Sequence, residues 1–208
     1  MKKHLKEFFL FPDILFMCIV CAAGFTFTLI HIATPWIWLA WLSGALSFAL
    51  GEYLIHRFLF HLKPPHHPFL LSLLKRLHYD HHEDPDNLKL LFLPIWYSGP
   101  LILLSGGIAY LITKNVELTL GYITGTICYH LYYEWKHFIA HRPIKPLTPW
   151  GRKLKKLHLL HHFKNENYWF GVTHLTMDRV MGTYGHEKEV PLSSTARKLS
   201  EKGKNHLH

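Results

Sequence analysis

Cysteine is scarce in this chain, and so is acid. Of its 208 residues three are cysteines, Cys18, Cys21 and Cys128. All three lie in apolar stretches, which excludes a disulfide framework and leaves no thiolate set for a structural zinc ion. The Cys18/Cys21 pair has CxxC spacing but no charged neighbour to favour a thiolate, so it reads as two small buried apolar residues. Also missing are a GxGxxG turn, a flavin site and a four-cysteine iron–sulfur motif, so the chain brings no redox carrier of its own. Asp and Glu number 14 against 23 Lys and Arg, a formal charge of +9. Such a balance suits nucleic acid or anionic lipid. Here the charges flank apolar runs, which points to headgroups and to no nucleic-acid partner.

Long apolar runs are what the chain does have. Four of them, Ile14–Ile30, Pro35–Ile55, Leu90–Ile112 and Val116–Trp135, each have the ~17–25 residues a helix needs to cross a bilayer. Gly24, Pro94, Gly106, Gly107, Gly121 and Gly125 fall inside them, where membrane helices tolerate them. Trp36, Trp38 and Trp41 open the second run as an interfacial belt. Asp13 and the length of the first run favour an uncleaved helix over a signal peptide. The links at 31–35 and 113–116 hold one basic residue, Lys114, so the positive-inside rule puts both termini on the cytoplasmic side. That membrane is the endoplasmic reticulum in a eukaryote and the inner membrane in a bacterium. The expected fold is an all-α integral membrane protein of one domain, residues 1–208, with four transmembrane helices. Pro68–Leu74 and Pro149–His162 are expected as helices lying against the membrane or capping the site, and residues 190–208 as a loose basic tail.

Chemistry enters with histidine. Ten of the 19 fall into four clusters: His56 and His61; His78, His81 and His82; His137 and His141; His158, His161 and His162. All four lie on the cytoplasmic side of the expected topology. In an α-helix, i, i+3 and i+4 share a face, so each HxxHH triplet aims three imidazoles at one place. His56 and His61 are i and i+5 and cannot share an α-helical face. Either the helix unwinds between them, since Pro64 and Pro65 follow closely and stop it, or they serve different metals, as the odd spacing suggests; one ion takes about four to six ligands, so ten histidines imply two ions. His4, His31, His130, His186, His206 and His208 read as polar caps, and His66 and His67 as turn residues. His174, close behind the last cluster, reads either way.

Imidazole suits iron, copper, nickel and zinc alike. Soluble di-iron bundles use glutamates with paired Glu-x-x-His motifs, and that paired pattern is missing. Metal-bound imidazoles usually pass their second N–H to a carboxylate or carbonyl, which makes Glu52, Asp80, Glu134 and Asp178 candidates for that role. Tyr133, Trp135, Tyr168 and Trp169 line an acyl path or anchor at the interface. The basic run Arg152, Lys153, Lys155 and Lys156 contacts headgroups or receives an acidic electron carrier.

GEYLIHRFLFHLKPP, HYDHH, YYEWKHFIAH and LHLLHHFKNENYWFGVTHLTMDRVMGT resemble the fatty acid hydroxylase and sterol desaturase superfamily, most of all its fatty acid 2-hydroxylase branch, over residues 51–185. The resemblance implies a dimetal centre, functionally iron with zinc as a substitute, under a cytosolic helical cap on four membrane helices. The family's ligand positions match the ten clustered histidines. It implies a dioxygen-dependent hydroxylase of a fatty acyl chain, at the 2-position of a fatty acid or sphingolipid acyl group. Two electrons come from an external donor, of cytochrome b5 type or ferredoxin type with a reductase. Eukaryotic 2-hydroxylases often carry an N-terminal cytochrome b5 domain, for which no room exists before the first helix. A sterol or carotenoid hydroxylase, or a lipid desaturase, shares a similar histidine frame. A non-catalytic metal-handling membrane protein is the rival class, and it needs a polar route for which the spans offer mainly Glu52 and His130.

Overall fold

The computed structural model describes residues 2–202, and the readings of His206 and His208 lie outside them. The described chain is all-α. It forms two compact units, each assembled from two separate stretches of chain.

The first unit takes residues 1–50 and 93–135. It holds a short α1 (Lys2–Phe9), α2 (Pro12–Ile30), most of α3 (Pro35–Ile55), α7 (Ile95–Thr113) and most of α8 (Val116–His141). Proline starts α2 and α3 and stands just before α7, where a missing N–H costs nothing. Pro94 therefore caps the third run instead of lying inside it. Helices α3 and α8 meet backbone to backbone. A Cβ on Gly125 would stand 1.8 Å from the Trp41 carbonyl oxygen, and one on Gly44 2.0 Å from that of Tyr122. Glycine is obligatory at both contacts, in the small-residue packing that membrane helices favour.

Among the described residues three segments are long and apolar enough to cross a membrane: Pro12–Ile30, Pro35–Phe60 and Leu88–Thr113. The sequence reading expected four. Helix α8 has the length, 26 residues, but buries Thr124, Thr126, His130 and Glu134, which lower its hydropathy. Its threonine hydroxyls donate to the carbonyls one turn back, Thr124 to Leu120 at 2.7 Å and Thr126 to Tyr122 at 3.0 Å, so the polarity is satisfied within the helix.

The second unit takes residues 51–92 and 136 onward. After α3 the backbone passes into a π-helical turn, His56–Phe60. A second π-turn, Lys75–Tyr79, separates α4 (Pro68–Leu74) from α5 (Asp80–Glu83), and α6 (Leu88–Leu91) follows. Helix α9 (Pro149–Phe163) starts on Thr148, whose hydroxyl accepts the Gly151 N–H at 3.0 Å, with Pro149 in the first turn. One face of α9 puts Leu154 and Leu157 into a core with Trp169, Leu175 and Val190. A one-turn helix, α10 (Thr176–Val180), completes the α-helical elements.

The tail departs from expectation. Residues 190–202 are packed: Val190, Ala196 and Leu199 are buried, and Leu199 joins Leu74 and Tyr79 in a core cluster. Low apolar content hid them, because three well-placed small and aliphatic side chains suffice to dock a short segment.

Candidate metal centre

All ten clustered histidines are buried and converge as two groups of five. One is His56, His61, His78, His82 and His161; the other is His81, His137, His141, His158 and His162. Within each group the ligand nitrogens lie within 4.8 Å of one another.

The partition corrects two expectations. His56 and His61 do not split; the α-helix gives way between them, the other outcome the sequence allows. The π-turn between them runs its hydrogen bonds from i to i+5, as in the 3.2 Å bond from the His61 amide to the His56 carbonyl, and this wider turn returns residues five apart to one face. Each HxxHH triplet, by contrast, does split. Its i and i+4 members enter one group and its i+3 member the other, and the two triplets do so in opposite senses.

The ring contacts show what the groups fit. His56 Nδ1 donates to the Phe170 carbonyl at 2.6 Å, His82 Nδ1 to that of Ala196 at 2.7 Å, and His161 Nδ1 to that of Tyr168 at 2.7 Å. A carbonyl accepts only, so these three rings carry their proton on Nδ1 and turn an Nε2 lone pair inward. His78 Nε2 then stands 3.2 Å from His56 Nε2, 2.9 Å from His61 Nε2 and 3.0 Å from His82 Nε2. One nitrogen has at most one proton and cannot donate to three others. In the second group His81 Nε2 is 3.0 Å from His137 Nε2, and His141 Nε2 is 2.9 Å from His158 Nε2. Two nitrogens each about 2.1 Å from one ion, at right angles, are about 3.0 Å apart. Converging lone pairs at that spacing suit a cation, and an all-nitrogen donor set suits a transition metal.

Electrostatics agrees. Burial first, then the neighbouring imidazoles, hold His78, His81, His158, His161 and His162 well below the usual histidine value. Burial brings His82 down to about 3, against the raising effect of its bond to Ala196. The rings are therefore neutral at pH 7, the form that binds metal.

Backbone carbonyls, and not the four candidate carboxylates, take the Nδ1 protons of His56, His82 and His161. Two carboxylates hold the loop that supplies the Tyr168 and Phe170 carbonyls. Glu52 Oε1 accepts the N–H groups of Val172 and Thr173 at 2.7 and 2.8 Å, and Oε2 accepts the Thr173 hydroxyl. Asp178 accepts the N–H groups of Phe170 and Gly171 at 2.8 and 2.9 Å and the Thr183 hydroxyl at 2.8 Å. Between the two aimed carbonyls sits Trp169, a non-glycine residue in the left-handed region at φ 57°, held by full burial of its ring and a 3.1 Å bond from Nε1 to the Gly185 carbonyl. Asp80 instead pairs with Lys75 at 3.3 Å near the surface. Glu134, in the first unit, accepts the Leu93 N–H at 3.0 Å and lies 3.8 Å from His130. That makes His130 a buried mid-helix residue and not a cap. His31 is a cap as expected, its ring on the Phe27 carbonyl. His174 is half-buried and enters neither group. Tyr168 and Trp169 act through backbone and core, and Trp135 packs against Phe8 and Phe9. The Tyr168, Phe170 and Ala196 carbonyls could not be found from sequence, since every residue has one.

Fold and site together define a class: all-α membrane proteins with a polyhistidine centre able to bind two metal ions. The fatty acid hydroxylase family model matches residues 41–183, and the chain belongs to that family. Among relatives, "Ceramide very long chain fatty acid hydroxylase scs7" of Schizosaccharomyces pombe is 31% identical over 77% of this chain and 45% of its own length. "Dihydroceramide fatty acyl 2-hydroxylase FAH2" of Arabidopsis thaliana is 34% identical over 67% of this chain and 58% of its own. "Fatty acid 2-hydroxylase" of Homo sapiens is 31% identical over 70% and 39%. The chain thus spans about half the length of these relatives. A solved structure described as "Full length scs7p (only hydroxylase domain visible)" superposes with a TM-score of 0.64 at 28% identity, over 92% of this chain and 64% of the other.

Proposed function

We propose that this protein is a di-iron membrane oxygenase that hydroxylates a fatty acyl chain at the 2-position, as a free acid or within a sphingolipid. The carrying observation is the pair of five-imidazole groups inside the matched family region. The regiochemistry draws support from the relatives named as 2-hydroxylases.

All ten clustered histidines are the ligands in this reading. Iron supplies the oxidising power that an unactivated C–H bond demands. The chain's own part is to hold and orient. Carbonyls of Tyr168, Phe170 and Ala196 fix three rings in the metal-binding tautomer, Glu52 and Asp178 fix the loop behind two of those carbonyls, and burial keeps water out. The balance is one acyl C–H, one dioxygen, two electrons and two protons, giving one C–OH and one water. The electrons come from an external carrier, of cytochrome b5 or ferredoxin type. Helix α8 completes a four-helix crossing, with both termini and the histidines on the cytoplasmic side; the basic residues outside 31–35 and 113–116 support that orientation.

Expression with a suitable electron donor, in cells lacking 2-hydroxy fatty acids, should give 2-hydroxy acyl chains in membrane lipid. A lipid profile that stays the same, with metal bound and donor present, would reject the reading.

A further inference from the structure

The proposed reaction consumes two electrons, and one surface of the second unit combines a basic rim with an apolar floor. From Arg142 to Lys164 the sequence holds seven basic residues and no acid. Helix α9 has two opposite faces in that stretch. His158, His161 and His162 point inward and are buried. Arg152, Lys156, Leu159 and Phe163, spaced i, i+4, i+7 and i+11, line an outward groove of about 640 Å³. Ile144 and Lys145 belong to its other wall, so the floor is apolar and the rim basic.

Two of the cations are already used to build the wall. Lys155 Nζ donates to the carbonyls of Ile139, Arg142 and Ile144, closing the end of α8, and Arg152 donates to those of Pro146 and Leu147. Hydrogen bonds to carbonyls leave their charge in place. Lys156 of the rim pairs with Glu187. Lys145 is exposed and Lys156 mostly so, which leaves the groove positive on the side facing solvent.

We infer that this groove docks the acidic face of a one-electron carrier protein. The inference rests on the hydroxylase reading above. A concave apolar floor with a cationic rim matches a protein with an acidic rim around an exposed redox group, through charge complementarity that steers encounter and sets orientation. A carrier seated there is separated from His158 and His162 by the thickness of one helix, about 10–12 Å. Leu159 and Leu160 of the lining are bonded in sequence to the imidazole-bearing residues on either side. Each docking passes one electron, so two reduced carriers are oxidised per C–H hydroxylated, and dioxygen is the final acceptor.

The test is binding, read on full-length protein in neutral-lipid nanodiscs with the acidic soluble haem domain of a cytochrome b5 as probe. Wild-type affinity should weaken steeply between low and physiological salt. Lys145→Glu with Lys156→Glu should raise Kd about tenfold or more, and Glu187→Gln, which frees Lys156, should lower it two- to threefold. Metal content should stay that of wild type, since neither lysine touches the histidines. A Kd within twofold of wild type in the double variant overturns the inference. So does a variant that loses only a preference for anionic over neutral nanodiscs, which would assign the groove to lipid headgroups. Dithionite-driven single turnover reads the hydroxylation without any carrier. Product from both proteins there, with carrier-supported turnover lost only in the variant, supports the docking site. No product from wild-type protein with dithionite rejects the hydroxylase reading itself, and the docking purpose with it.

Discussion

The His61 amide donates to the His56 carbonyl five residues back, at 3.2 Å, and this one bond decides which group His61 joins. In an α-helix the two rings would diverge. In the π-turn both enter the group that also holds His78, His82 and His161. Inserting one alanine after Leu59 should make the pair i and i+6, which shares a face in neither an α-turn nor a π-turn, and swing His61 out. We expect bound metal to fall from two toward one ion per chain, measured by elemental analysis of purified protein. Retention of two ions would show that His61 is dispensable there.

The split triplet gives a second expectation. His81 belongs with His137 although its neighbour in sequence, His82, belongs elsewhere. With cobalt as a spectroscopic stand-in, losses of affinity on alanine substitution should be non-additive for His81 with His137. They should be close to additive for His81 with His82. The reverse pattern would contradict the partition.

Glu52 accepts three hydrogen bonds from the loop at Val172 and Thr173, and its removal leaves those donors buried and unmet. Glu52→Ala should cost about 3 kcal/mol and Glu52→Gln about 1 kcal/mol or less, because the amide oxygen still accepts two N–H groups. Thermal unfolding in detergent orders the two variants. Equal midpoints would remove Glu52 from the loop's support.

Gly125 meets the Trp41 carbonyl so closely that a Cβ would stand 1.8 Å away, and backbone cannot step aside as a flexible side chain does. Gly125→Ala should therefore force α3 and α8 apart, at a cost above the usual 1–3 kcal/mol of overpacking. Gly51→Ala, with nothing within 4 Å, serves as the control and should be near neutral. Similar unfolding midpoints for the two variants would refute the close contact.

Acid should weaken the metal-free protein in a defined window. The ordinary histidine value is 6.5, and burial brings that of His82 to about 3. As pH falls below 6.5 the unfolded chain takes up protons that the folded chain refuses, so stability is full above 6.5 and is lost down toward 3. Each such ring contributes about 1.4 kcal/mol per pH unit inside the window. Unfolding midpoints of the metal-free protein at pH 7.5, 6.5 and 5.5 should stay level over the first step and drop over the second. A midpoint that rises on acidification would mean the rings are not buried neutral.

How much of this was legible in the sequence differs from part to part. The apolar runs locate α2, α3, α7 and α8, because length and apolarity are both countable in a sequence. All ten histidines of the two groups stand out by spacing. Their partition does not, because periodicity assumes α-helical turns and the chain uses π-turns at His56–Phe60 and Lys75–Tyr79. The carbonyls of Tyr168, Phe170 and Ala196 are invisible in any sequence. The packing of residues 190–202 was missed since a segment docked by Val190, Ala196 and Leu199 looks polar when averaged.

Trp169 has a consequence for where damage will appear. Its backbone sits in a conformation that glycine adopts freely and tryptophan resists, and its ring is clamped among Leu154, Leu157, Leu175 and Val190. The clamp holds the strain, and the strain aims the carbonyls on either side at His161 and His56. The hydrophobic core of the second unit therefore works as a tensioner for the metal centre. Conservative losses of volume in that core, at a residue outside both histidine groups such as Leu175→Val, would let the turn relax before the helices melt, and the first thing lost would be the orientation of two imidazoles in a protein that is still folded.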